Sequence, residues 1–235
     1  MGDSPPITLY GVQILEPVTS LTDFITALVC FYAFYRLSKL ERKGKMYQYF
    51  RYYFLCTGIA TTCAAFIGHA FLYLFSFEWK MIGWAFSATG ILLMEWGTLY
   101  FVRREIPSRV FQWTFRGTLV KYLAFWALIL TTQSFLATQA QAAIGLVGIV
   151  LPLQVYHYLR TRHPGSRAII IALLFSLLPA VTYNTKLSLH TYCNHHDISH
   201  LLMAICLFLI YRGVHQILDF KPNMIIGVSH SQGHL

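Results

Sequence analysis

Long apolar runs alternate with short polar clusters along the chain, and this alternation limits what it can fold into. Apolar runs of roughly 17–25 residues are long enough to cross the hydrocarbon core of a bilayer as helices. Lipid offers no hydrogen bonds, so each run must satisfy its backbone groups within a helix. Only 11% of the residues are charged, whereas a soluble domain carries about a quarter. The sequence therefore predicts an all-α integral membrane protein.

Seven runs have the length and composition of transmembrane helices, which predicts a single seven-helix domain over residues 1–235. Pro152 and Pro179 fall inside the fifth and sixth runs, where each removes a helical hydrogen bond and is expected to kink its helix. The first 17 residues lack a basic segment followed by a long apolar one, so no cleavable signal peptide is expected. The predicted helices cover residues 18–38, 51–76, 80–102, 119–137, 140–159, 167–185 and 196–217.

Basic residues concentrate on one side of the predicted bundle. Sixteen of the 18 Lys and Arg lie in or beside the loops after helices one, three and five and at the C-terminal end, with Lys121 counted as a loop flank. The opposite side keeps Lys80 and Lys186. Cytoplasmic loops are rich in Lys and Arg. The sequence thus predicts an outside N-terminus and a cytoplasmic C-terminus, and it attributes the net charge of +9 to these loops rather than to nucleic-acid binding.

Three histidines are predicted to lie at the same depth in the outer third of the bundle. His196 and His200 are spaced i, i+4 and share one face of helix seven, a spacing that offers two imidazoles to one metal. Helix two runs outward and helix seven inward, so His69 reaches the same depth. Three imidazoles and a water make a catalytic zinc arrangement. The alternative for His69 is a hydrogen bond across helices, since intramembrane polar groups usually pair.

Acidic residues inside the predicted helices also require an explanation, because charge is costly in lipid. Asp23 lies near the outer end of helix one, where it either caps the helix or serves the metal as a ligand or as a base. Glu95 lies too deep for that cluster and is either a buried partner of a polar group on helix two or four or part of a separate pathway. The remaining histidines considered are expected to be solvated on the basic side or in the tail: His157, His163, His215, His230 and His234.

Seven helices, a histidine late in helix two and HxxxH in helix seven resemble the superfamily of alkaline ceramidases, adiponectin receptors and Per1-like proteins. The resemblance covers all seven helices. It implies an integral membrane hydrolase whose zinc is held by three histidines, which by position are His69, His196 and His200. An outside N-terminus resembles the ceramidase branch, where the acidic N-terminal stretch is similar to a calcium site; Glu16 and Asp23 would match it.

The sequence departs from the pattern of that superfamily at two positions. The superfamily usually has a serine four residues before the helix-two histidine, where this chain has Ala65. It also usually has an aspartate early in helix three, and this chain has none there. Ser87 is the nearest polar substitute in helix three, and Asp23 or Asp197 is positioned to supply an acid from another helix.

The leading hypothesis is a zinc-dependent hydrolase that cleaves an amide or ester bond of a membrane lipid. Asp23 or Asp197 would orient or deprotonate the attacking water. A second hypothesis is a non-enzymatic receptor or lipid-binding protein with a structural metal. A third is a haem protein with His69 and one helix-seven histidine as axial ligands, but it leaves the other i, i+4 histidine unexplained.

Overall fold

A computed structural model describes residues 4–219 of the chain. Within that range, seven long helical segments form one bundle, as the sequence predicts. Three segments are irregular, because they contain a π-helical stretch or a break. The segments are α1 (Pro17–Ser38); α2 (Lys45–Cys63) with a π-helix (Ala64–Ala70); α3 (Lys80–Val102); α4 (Ser108–Thr132); α5 (Phe135–Gly145), a π-turn (Leu146–Val150) and α6 (Leu151–Thr161); α7 (Pro164–Phe175) and α8 (Leu177–Asn184); and α9 (His195–Asp219).

A small β-hairpin precedes the bundle and was not predicted. It pairs β1 (Ile7–Leu9) with β2 (Val12–Ile14) in antiparallel register. Tyr10 and Gly11 connect the strands, and both have positive φ, which suits a two-residue hairpin turn. The chain that follows the hairpin is fastened to the end of the π-helix after α2, since Leu15 N–H donates to Ala70 O over 3.1 Å.

Contacts between helices fix their relative directions. Side-chain hydrogen bonds join Gln141 to the Ala88 carbonyl and Tyr156 to the Glu105 carbonyl, so α3 and the α5–α6 segment run parallel. α4 connects them and therefore returns in the opposite direction. Thr19 donates to Asp197 over 2.7 Å, so α1 and α9 begin at the same end of the bundle. This end, called the α1/α9 entry end below, is opposite the basic loops.

Six of the described helices are long and apolar enough to cross a membrane, as a multi-pass membrane protein requires. α4 has sufficient length at 25 residues, but it is not among the six. It carries Arg109, Arg116 and Lys121, and these lower its apolar character. The six are Pro17–Ser38, Lys45–Ala70, Phe77–Val102, Phe135–Thr161, Pro164–Asn184 and His195–Asp219.

The predicted ends of helices two and four are wrong, and both starts were placed too late because polar residues were assigned to loops. The predicted fourth helix, 119–137, crosses a turn: Gln133 adopts φ 49° and ends α4 at Thr132. α4 begins 11 residues earlier than predicted, at Ser108, so Lys121 lies well inside a helix rather than beside a loop. Helix two likewise begins at Lys45 rather than 51, after Gly44 with φ 111°, and its helical course ends at Ala70.

The two predicted proline kinks are confirmed as helix irregularities. A π-turn over Leu146–Val150 leads into Pro152. The sixth segment breaks at Ser176, just after Phe175. Phe175 is four residues before Pro179, and a proline ring clashes with the carbonyl at that position. Further along, α7 packs closely on α9 at two glycines, since a Cβ on Gly213 would lie 2.9 Å from the Gly165 carbonyl.

Candidate metal centre

Asp23, His69 and His200 converge at the α1/α9 entry end, from α1, from the π-helix after α2 and from α9. One potential ligand atom from each lies within 4.8 Å of the other two. The Asp23 carboxylate is buried, whereas the two imidazoles keep about a fifth of their side-chain surface exposed, at 21% and 22%. The cluster is therefore reachable from outside the bundle on its imidazole side.

Both imidazoles lie close to the Asp23 carboxylate. Asp23 Oδ2 lies 3.6 Å from His69 Nε2, and Asp23 Oδ1 lies 3.4 Å from His200 Nδ1. Bonds of about 2.1 Å from zinc to each ligand separate neighbouring tetrahedral ligand atoms by about 3.4 Å. The two distances are close to that value, one to each carboxylate oxygen. Asp23 Oδ2 is also buried without a hydrogen-bond partner among the described residues. The donor set, two imidazoles and a carboxylate, is therefore of the type that binds zinc.

Glu16 determines which nitrogen of His69 faces the cluster. Glu16 Oε2 lies 2.6 Å from His69 Nδ1. An ionised carboxylate can only accept, so Nδ1 carries the hydrogen and donates it. The Nε2 lone pair is then left on the side of Asp23. A carboxylate that accepts from the outer nitrogen is the usual support of a metal-binding histidine.

The π-helix that carries His69 is held in place by α1. Ser20 Oγ donates to the Ala65 carbonyl over 2.9 Å. π-helical turns leave carbonyls out of the regular ladder and occur often at functional sites. Ala65, which stands where the resembled superfamily has serine, thus contributes its backbone rather than a side chain to this region.

His196 belongs to the histidine group but not to the tight ligand set. Its ring centroid lies 6.1 Å from that of His69 and 6.3 Å from that of His200, close to the 5.9 Å between those two rings. It is nevertheless outside the group of ligand atoms that all lie within 4.8 Å of one another. It also packs edge-on against Tyr183, with centroids 5.3 Å apart. Of the three predicted imidazole ligands, the structure brings His69 and His200 together with Asp23 and leaves His196 beside them.

Asp197, predicted as a catalytic candidate, is fully buried and has both carboxylate oxygens engaged. Thr19 donates to Oδ1 and the Asn194 backbone N–H donates to Oδ2, each over 2.7 Å. Asn194 Oδ1 in turn accepts from the backbone of His196 and Asp197. These reciprocal bonds form a capping box at the start of α9, so Asp197 orders the helix that carries the histidines.

Ser87, the other predicted catalytic candidate, is half-buried in α3, and no described contact within residues 4–219 joins it to the cluster.

A second polar cluster at the basic end of the bundle was missed, because its histidines were expected to be solvated. His157 is only 4% exposed and lies between Glu105, 3.0 Å from Nε2, and Ser166, 2.8 Å from Nδ1. His163 is also buried, and its Nδ1 accepts from the Gly165 backbone. Burial lowers the pKa of His163 and raises the pKa of Glu105, and the charge of Arg160 partly offsets the effect on Glu105.

The other histidines that were expected to be solvated lie elsewhere. His215 is half-buried, while His230 and His234 lie outside the described residues.

Glu95 has a helix-four partner, one of the alternatives that the sequence left open. Its Oε1 accepts from Lys121 Nζ, and its side chain is fully buried. Gly145 on α5 faces this pair, since a Cβ there would overlap Glu95 Oε1 and Ile91 Cγ2. The pair thus lies where α3, α4 and α5 meet, in the interior of the bundle.

The fold and the cluster define a multi-pass type of helical protein with a histidine–carboxylate centre at one end. Comparison with protein families identifies the family to which the chain belongs. The chain belongs to a family of unknown function, DUF6962, whose family model matches residues 18–219. That range contains Asp23, His69 and His200 and excludes Glu16. No curated protein and no solved structure matches the chain.

Proposed function

We propose that the protein is a zinc-dependent membrane hydrolase that cleaves an amide or ester bond of a lipid. The observation that carries this proposal is the grouping of ligand atoms from Asp23, His69 and His200 within 4.8 Å, on three separate helical segments. Two imidazoles and one carboxylate are the ligand set of several catalytic zinc sites, which keep a fourth position for water. Calcium stays a secondary prediction, with Glu16 assigned to the support of His69.

The side chains of the centre divide into three roles. Asp23, His69 and His200 hold the metal, and Glu16 orients His69 through its Nδ1–H. Bound zinc would activate a water and polarise the scissile carbonyl. His196 borders the ligand set at ring distances near 6 Å and is the nearest further imidazole, so it takes the proton from the attacking water and gives it to the leaving group.

A lipid is the preferred substrate class because exposed apolar side chains adjoin the centre. Leu21, Phe24 and Phe66 are exposed on α1 and the π-helix after α2. Phe24 follows Asp23 in sequence and packs edge-on against Phe66, with ring centroids 5.9 Å apart. An amphiphile is thus able to keep its chain against this apolar rim while its polar linkage reaches the metal ligands.

The proposal also includes seven membrane crossings with the metal centre near the outer face. The parallel directions of α3 and α5–α6 support this number, because α4 must carry the chain back between them. The basic loops at the end opposite the centre support a cytoplasmic location for that end. The N-terminus is then outside and the C-terminus cytoplasmic.

Elemental analysis of purified protein tests the metal assignment. The wild-type chain should retain about one zinc, as expected for one catalytic site. Asp23→Ala, His69→Ala and His200→Ala should each lose most of it, because each removes a ligand. His190→Ala is the matched control, since His190 is exposed in the α8–α9 connection, and it should retain zinc. Full zinc content in all three ligand variants would show that the ligands are elsewhere.

A hydrolysis assay tests the activity separately from the metal. Zinc-loaded wild-type protein should cleave at least one member of a panel of amide- and ester-linked lipids, and His196→Ala should lower turnover while zinc content stays near normal. Zinc retention without cleavage of any lipid would reject the hydrolase and favour a receptor or lipid-binding protein with a structural metal.

One observation favours that second function. The Asp23 oxygens lie at ion-pair distance from both imidazoles, so the carboxylate links α1 to α9 and to the π-helix after α2 without any metal. If the purified protein holds no zinc, and if mutation of Asp23 or of His69 lowers its Tm by the same amount, these residues form a purely structural network.

A further inference from the structure

The seam between α3 and the α5–α6 segment holds most of the unpaired polar atoms of the interior. Within residues 4–219, eight buried side-chain N or O atoms have no hydrogen-bond partner, and five of them follow this seam. Buried polar groups are nearly always hydrogen-bonded to protein or to ordered water. The seam therefore offers a row of polar atoms to which water can bind. The five atoms are Thr138 Oγ1, Gln141 Oε1, Glu95 Oε2, Gln154 Oε1 and Glu105 Oε2.

The π-turn between α5 and α6 keeps the polar residues of both helices on the one face that packs against α3. Buried positions of this segment recur in steps of three or four residues, except for one step of five across the π-turn Leu146–Val150. A π-turn accommodates one residue more than an α-turn. Without it, the polar residues of α6 would be rotated by about 100° away from those of α5. The buried positions facing the seam are Thr138, Gln141, Gly145, Val150, Gln154 and His157.

The seam extends nearly from one end of the bundle to the other. At about 1.5 Å per helical residue, the stretch from Thr138 to His157 covers about 28 Å, close to the ~30 Å thickness of a hydrocarbon core. His157 lines a cavity of about 530 Å³ at the basic end, together with Thr161 and His163. The cavity thus lies where the seam reaches the basic end of the bundle.

A titratable group lies midway along the seam. Glu95 is fully buried; its Oε1 accepts from Lys121, and its Oε2 has no partner among the described residues. Gly145 leaves space for this carboxylate, because any side chain there would overlap it. Gln141 bonds the Ala88 carbonyl on one side of Glu95, and Gln154 contacts Thr98 on the other.

We propose that this seam conducts protons across the membrane, through waters bound at its polar atoms and through the Glu95 carboxylate. A hydronium from the Thr138 side gives its proton to Glu95 Oε2 and becomes water. The neutral carboxylic acid then gives the proton to a water on the Gln154 side and returns to the carboxylate. From there the proton reaches the cavity beside His157.

Lys121 occupies the other oxygen of this carboxylate, since its Nζ donates to Glu95 Oε1. Glu95 Oε2 is thereby left to accept and release the proton. Bound waters pass a proton from one to the next without any ion moving along the seam. The pathway should therefore pass protons but not K⁺. The proposal depends on the seven-crossing arrangement proposed above and does not involve the metal centre.

Purified full-length protein in liposomes tests the pathway. A K⁺ diffusion potential set by valinomycin drives protons inward, and an internal pH-sensitive dye reports them. Wild-type liposomes should acidify faster than protein-free ones. Glu95→Gln and Gln154→Leu should reduce the rate to the protein-free value, since one removes the proton acceptor and the other a water-binding amide. Glu78→Gln is the matched control, because Glu78 is exposed, and it should keep the wild-type rate.

Two results would overturn the proposal: a wild-type rate equal to that of protein-free liposomes, or wild-type rates in both seam variants. If Glu95→Gln does not fold because Lys121 loses its partner, Gln154→Leu alone tests the pathway. In that case a wild-type rate of acidification in this variant rejects proton conduction along the seam. Bound zinc is measured in the same liposomes. Since Glu95 is not a ligand of the proposed centre, Glu95→Gln should keep its zinc, so the proton pathway and the metal centre can fail independently.

Discussion

Glu16 and Asp23 contact the same imidazole from opposite sides, and their roles differ for that reason. Glu16 meets His69 Nδ1 at 2.6 Å, whereas Asp23 faces Nε2 at 3.6 Å. A ring nitrogen that donates a hydrogen cannot bind a metal, so only the Asp23 side of the ring is available for one. Glu16 is thus a positioning residue rather than a ligand.

Glu16→Gln should therefore weaken zinc binding without abolishing it. The amide oxygen still accepts from His69 Nδ1–H, but it loses the negative charge that makes the ring a stronger ligand. Loss of such a support typically costs 10–100-fold in metal affinity. A competition titration with a zinc chelator measures the change, with Glu78→Gln as the control. Unchanged zinc affinity would show that Glu16 does not support His69 as a ligand.

Sequence reasoning located residues of the cluster but not their partners. Asp23, His69 and His200 were identifiable because titratable residues in apolar helices require an explanation. The capping role of Asp197 was missed, although Asn194 precedes it by the three residues of a capping box. The bond from Thr19 was not identifiable, because Thr19 is 178 residues away in sequence. His157 was missed because a histidine near Arg160 and Arg162 in sequence resembles a solvated loop residue, although its side chain turns inward to Glu105.

At the scale of helices, the capping box of α9 links local order to the metal centre. Asn194 accepts from the first turn of α9, and His196 and His200 lie on the first two turns. Fraying of that turn would move both imidazoles. The end of the helix is thus held by contacts that do not touch the metal ligands themselves.

Asn194→Ala should lower the free energy of unfolding by about 1 kcal/mol, the usual cost of losing a cap. A change of that size corresponds to a fall of roughly 2–4 °C in Tm for a chain of this length. Thermal unfolding in detergent measures it. Asn184→Ala is the control, because Asn184 is exposed and bonds only within its own helix end. Equal Tm values for the two variants would argue against the capping role.

Helix number was predictable from the apolar runs, and helix ends were less so. The apolar run sets the minimum length of a membrane helix, but amphipathic turns can extend the helix beyond it, as the first three turns of α4 do through Arg109 and Arg116. The π-turns were not predictable from the sequence pattern. Such a turn depends on contacts with a neighbouring segment, such as the bond from Ser20 Oγ to the Ala65 carbonyl. That neighbour is distant in sequence.

The whole molecule has two chemically different ends. The histidine–carboxylate centre is at the α1/α9 entry end, while most of the Lys and Arg, the His157 cluster and the cavity beside it are at the other. Whether the two ends lie on the same or on opposite sides of a membrane depends on whether α4 crosses it. α4 is the one long segment of the described bundle that is not among the six strongly apolar helices. If α4 crosses the membrane, the two ends face opposite compartments.

Accessibility labelling of single cysteines tests this arrangement at the two ends of α4. Arg104 precedes α4 at the basic end and Thr132 is its last residue, and both are exposed. In a background with Cys193 replaced by serine, an impermeant thiol reagent should modify Thr132→Cys from outside intact cells. Arg104→Cys should react only after permeabilisation, because the Lys- and Arg-rich end is expected to be cytoplasmic. Tyr10→Cys, in the exposed hairpin turn, is the control for the outer face. Modification of Arg104→Cys and Thr132→Cys from the same side would mean that α4 does not cross, and the seven-crossing proposal would then be wrong.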